Sequence, residues 1–104
     1  MKHSIIKAKK YKDAKNVYRI LDNKIRLKIL NILTEKDKLT VSDIAGELKI
    51  FHSVASMHLR ILAKYHIVNT EVGQDSRKRM YSINKQKLIG YNNLADKILD
   101  YISE

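Results

Sequence analysis

Cysteine is absent from all 104 residues, which excludes disulfides, thiolate metal sites and thiol redox switches. No apolar run approaches the roughly 20 residues of a membrane span, and the Lys-rich start has no signal-peptide apolar core. The expectation is a cytoplasmic protein that makes no membrane contact. A Gly-rich phosphate loop, a Ser-His-Asp order, a metal triad and a paired-carboxylate pocket are also missing, so neither catalysis nor a cofactor is expected. Acidic residues are scarce: 11 Asp and Glu stand against 21 Lys and Arg, a formal net charge of +10. What is present is one domain, residues 1–104, with 44% hydrophobic residues and a core modest enough to share its stability with a partner subunit.

The positive charge is clustered. Residues 1–20 hold seven Lys or Arg against Asp13 alone, and residues 52–87 hold seven against two acids. Residues 21–51 are nearly balanced, and residues 88–104 are net acidic. Two basic segments separated by a neutral one form the electrostatic footprint of a nucleic-acid binder. A solvated Lys-rich surface is the plainer alternative.

Hydrophobic spacing divides the chain into short helices. Tyr11, Ala14, Val17, Tyr18 and Leu21 recur at three and four residues. Asp22 and Asn23 interrupt that stripe and can cap a helix from Lys24 to about Glu35, whose core face is Ile25, Ile29, Ile32 and Leu33. After a charged loop, Thr40 is a good N-cap, with Asp43 three residues on in the place of a capping-box acid. Val41, Ile44, Ala45 and Leu48 supply that helix's buried face. Gly46 costs it roughly 1 kcal/mol relative to Ala, for which close approach of another helix is the expected compensation.

The next helix, about His52 to Tyr65, turns Ala55, Leu59 and Leu62 inward and shows His52, Ser53, Ser56, Met57, Arg60 and Lys64 outward. Small polar residues near its start, with Arg further on, suit reading of a major groove; an ordinary polar surface is the alternative. Ile67–Val72 and Arg77–Ile83 read as strands around a turn at Gly73-Gln74-Asp75-Ser76. Arg77, Lys78 and Arg79 follow that tip and can clamp phosphates or an adjacent minor groove, or simply blunt an edge strand. The last helix, about Gln86 to Ile102, carries Leu88, Tyr91, Ala95, Ile98 and Ile102 at alternating spacings of three and four, a heptad seam. So apolar a helix on a small chain is expected to pack on a two-fold mate, together with the Tyr11, Ala14 and Tyr18 helix.

The layout predicts a mainly α winged helix-turn-helix of five helices and a two-stranded wing. Residues 40–66 form the helix-turn-helix, 67–84 the wing, and 1–21 with 86–104 the dimerisation helices. Such a homodimer places two reading helices in successive major grooves of a near-palindromic site on double-stranded DNA.

Three segments resemble one family. Leu21-Asp22-Asn23-Lys24-Ile25-Arg26-Leu27-Lys28-Ile29-Leu30 is similar to the "L-x-x-x-x-R-x-x-I-L" helix of the ArsR/SmtB group of dimeric winged helix-turn-helix repressors. Ser56-Met57-His58-Leu59-Arg60-Ile61-Leu62 resembles its "S-x-H-L-x-x-L" recognition helix, and Arg77 before Tyr81-Ser82-Ile83 resembles its wing. The resemblance covers nearly the whole chain. It implies a homodimeric repressor of operator DNA that usually answers to an effector, with Ser56, His58, His52, Ser53 and Arg77 in DNA-contacting positions. Two residues depart from the pattern: Phe51 replaces the family's favoured Ser cap, and Lys49 its turn Gly. Lys49 costs about 1 kcal/mol if the turn needs a left-handed residue. Phe51 and Met57 suggest an altered base preference or a contact with thymine methyls.

The family's sensor residues are not retained. Its Cys-x-Cys positions correspond to Thr40 and Ser42, and its last-helix zinc ligands to Leu88, Gly90, Tyr101 and Glu104, of which only the Glu is kept. Hydroxyls do not replace thiolates on a soft metal, so no metal site is expected there, and an unknown small-molecule effector stays open. Two rival readings are a winged-helix protein-interaction module and a non-specific architectural DNA binder.

Overall fold

The computed structural model describes residues 18–74 and 77–90. It contains α1 (Lys24–Glu35), α2 (Val41–Leu48), α3 (His52–Lys64), β1 (Val68–Val72) and β2 (Arg79–Ile83). Helical residues at 18–21 and 85–90 flank this body, making five helices and a two-stranded antiparallel hairpin, a winged helix-turn-helix.

Local chemistry sets the element boundaries. Asn23 is extended, and its Oδ1 accepts from the backbone N–H of Ile25 at 3.0 Å and of Arg26 at 3.1 Å, starting α1. Thr40 starts α2 with a full capping box: its hydroxyl accepts from Asp43 N–H at 3.1 Å, and the Asp43 carboxylate accepts from Thr40 N–H at 3.0 Å. That bond from the Thr40 backbone is the main cause holding the Asp43 carboxyl below its ordinary pKa. α2 ends at Lys49, with φ 55° and ψ 47°, its N–H donating to the carbonyls of Ala45 and Gly46. The turn therefore does use a left-handed non-glycine residue, at a cost of about 1 kcal/mol. His66, with φ 58°, repeats the device after α3, where Ile67 N–H reaches back to Leu62 O at 2.9 Å.

The core lies where the three helices meet the base of the wing. Ile29 and Leu33 of α1, Ile44 of α2, and Ala55, Leu59 and Leu62 of α3 close on Ile67, Val68 and Tyr81. Ile29, Ile44, Leu59, Leu62 and Ile67 are fully buried, each contributing about 1.5–3 kcal/mol. β1 and β2 pair from Val68↔Ile83 to Val72↔Arg79. Leu39 joins them as a third, single-residue rung, exchanging backbone hydrogen bonds with Tyr81 at 3.0 and 2.8 Å. Asn84 N–H donates to Ile67 O, and its side chain accepts from Lys87 N–H at 3.1 Å, starting the helical stretch at 85–90. The wing is thus fastened at its base.

Several expectations need correction. α3 stops at Lys64, with Tyr65 as its cap. The strands begin at Val68 and Arg79: Ile67 is fully buried in the core, and Gly73 N–H donates to Lys78 O at 2.9 Å beyond the end of the ladder. Among the described residues no helix approaches Gly46: a Cβ placed there would meet nothing within 4 Å. Of the expected dimer residues, Tyr11, Ala14, Tyr91, Ala95, Ile98 and Ile102 lie outside the described residues. Tyr18 is 49% exposed, whereas Leu88 is half-buried against the domain's own core. Among the described residues no helix is long and apolar enough to cross a membrane.

Candidate nucleic-acid interface

α3 has two faces set by its sequence. Ala55, His58, Leu59 and Leu62, at spacings i, i+3, i+4 and i+7, are buried. His52, Ser53, Met57 and Arg60 are exposed and Ser56 is half-buried, all on the outward side. The start of α2 approaches one flank of this face, and the wing tip the other. Between them runs an open groove of about 720 Å³.

The groove gathers groups far apart in sequence. His52, Ser56 and Arg60 come from α3, Thr40 and Ser42 from the start of α2, and Arg77, Lys78 and Arg79 from the tip, with Tyr81 and Thr70 below. No Asp or Glu is among its lining residues. Four cations and several hydroxyls facing one concave surface match what phosphate oxygens require: charge for affinity and donors for register. Ser53 and Met57 lie outside the lining, on the exposed face of α3.

His58 is elsewhere. The resemblance put it among DNA-contacting residues, but it is 6% exposed and points into the body. Arg26 Nη1 lies 3.3 Å from its Nδ1, and Arg26 Nε donates to Ile20 O at 2.6 Å. A guanidinium only donates, so Nδ1 accepts and the ring proton belongs on Nε2. Burial, and then the Arg26 charge, push the His58 pKa down. Arg26 thus joins the residues before α1 to the inner face of α3. The periodicity already carried the burial of His58; nothing in the sequence marked its partner 32 positions away.

Ser42 and Thr70 were also missed as groove residues. Ser42 had a weak signal, a hydroxyl in the first turn of the helix before the reading helix. Thr70 had none, since its place depends on how β1 crosses behind α3.

A winged helix-turn-helix with a cationic groove beside its second helix defines a DNA-binding regulator of transcription. Residues 23–70, from the cap of α1 into β1, match the family described as bacterial regulatory protein, arsR family. No curated protein matches. Among solved structures, the chain is similar to an ArsR-like transcriptional regulator from Rhodococcus sp. RHA1, with 20% identity, 90% of this chain and 86% of that one covered, and a TM-score of 0.81. It is similar to the homodimeric winged helix-turn-helix DNA-binding domain Mb0332 from Mycobacterium bovis, a possible ArsR-family transcriptional regulator (23% identity, 90% and 84% covered, TM-score 0.70). Reduced HlyU from Vibrio cholerae N16961 is a third likeness, at 24% identity, 84% and 90% coverage and a TM-score of 0.67. The family and these regulators are not enzymes.

Proposed function

We propose that this chain is a homodimeric repressor that binds a near-palindromic operator in double-stranded DNA. The observation that carries the reading is the groove that joins His52, Ser56 and Arg60 of α3 to Arg77, Lys78 and Arg79 of the wing. In this reading the outer face of α3, with Ser53 and Met57, enters the major groove. The wing cations hold the flanking backbone. Residues 1–21 and 86–104 join the two subunits, in keeping with the homodimeric Mycobacterium bovis domain. Tyr18, half exposed, is a contact of that interface. Repression follows from occupying the promoter.

The family's thiolate chemistry has no counterpart in a chain without cysteine. Release from DNA, where it occurs, therefore answers to an effector held by groups other than thiolates. The test is a salt-titrated competition between DNA from just upstream of the chain's own gene and scrambled duplex. A preference of about a thousandfold matches a specific regulator. Equal binding of both duplexes, with a steep salt dependence, would leave the architectural reading. No binding would leave the protein-interaction module.

A further inference from the structure

The helices α1, α2 and α3 do not start alike. Asn23 and Thr40 cap α1 and α2 with side-chain oxygens, but α3 starts at Phe51, which makes no side-chain cap bond. Phe51 is 81% exposed, more than any other large hydrophobic residue among those described. It is not packing filler: the α3 residues that seal the core are Ala55, Leu59 and Leu62. Its neighbours His52 and Ser53 are exposed as well. The chain thus gives up a cap and leaves a phenyl ring in water at the end of α3 that leads into DNA.

In a helix-turn-helix, the N-terminal residues of the second helix lie closest to the base edges. A phenyl ring cannot exchange hydrogen bonds with bases or neutralise phosphates. The apolar group that the major groove offers is the C5-methyl of thymine. We infer that Phe51 is a specificity-determining residue that selects thymine in each half-site by covering its methyl group. This inference rests on the DNA-reading role of α3 proposed above.

The test starts with selection of bound sequences from a random duplex pool by the full chain. The selected duplex is then remade with deoxyuridine replacing each thymidine in turn, which removes only the methyl. Wild type should weaken about fourfold at one thymine per half-site, the loss of one buried methyl. Phe51→Ala and Phe51→Ser should bind the thymine duplex more weakly and be indifferent to deoxyuridine at that position. Phe51→Ser, which restores a capping hydroxyl, should melt at or above the wild-type temperature, so that misfolding does not explain its weaker binding.

A wild type indifferent to deoxyuridine everywhere would overturn the thymine contact alone, leaving the regulator reading intact. So would full deoxyuridine sensitivity retained in Phe51→Ala. Failure to select any sequence would overturn both.

Discussion

α2 and α3 are consecutive helices joined by residues 49–51, and they use their sequences in opposite ways. α2 has eight residues and a complete capping box. α3 has thirteen, no side-chain cap, and an exposed ring at its N-cap, Phe51. Both bury an apolar stripe in one core, so the difference lies in their free surfaces. α2 uses its local signals to hold the scaffold. α3 is held by its inner face alone, which leaves the outer positions to a partner.

That contrast can be broken most severely at the shared core. Leu59→Ala empties a fully buried site on the inner face of α3 and should cost about 2–5 kcal/mol in denaturant unfolding. A cost below 1 kcal/mol would mean that α3 is not held by that face. The caps should then give opposite signs. Thr40→Ala removes the hydroxyl that accepts from Asp43 N–H, one half of the reciprocal pair, and should destabilise by about 1 kcal/mol, whereas Phe51→Ser should stabilise by up to about 1 kcal/mol. Gly46→Ala should add somewhat less than 1 kcal/mol, because the position is helical, exposed and open.

The smallest effect is one of pH. His58 has its pKa lowered by folding from the ordinary 6.5, so below that value the unfolded chain takes up the proton first. Stability should therefore be level at neutral pH and fall as pH drops through 6.5 toward the folded value, then level off. His58→Gln should remove this component of the pH dependence.

Much of this was legible because the signals are local. The Asn23 cap, the Thr40/Asp43 box, the alternating wing strands and the inner face of α3 each lie within a few residues. The left-handed turn at Lys49 could be stated in advance as a cost, since the family pattern favours Gly there. Gly46 misled because a helical glycine suggests a close neighbour, yet among the described residues none approaches it. His58 misled for another reason: the resemblance set it in a contacting helix without saying on which side, while its spacing from Ala55, Leu59 and Leu62 already placed it inward. The Arg26 bond to His58, the Leu39 rung on Tyr81 and the placing of Thr70 in the groove all join positions distant in sequence, and no periodicity encodes them.

The central claim is that the outer face of α3 and the wing tip form one surface for DNA. It is tested most directly by the salt dependence of duplex binding for wild type and for a chain carrying both Arg77→Ala and Arg79→Ala. If both arginines of each subunit neutralise phosphates, four per bound dimer, the plot of log affinity against log salt should become shallower by about 3 to 4 in slope, with weaker binding at low salt. An unchanged slope and affinity would contradict the claim and remove the wing from the interface.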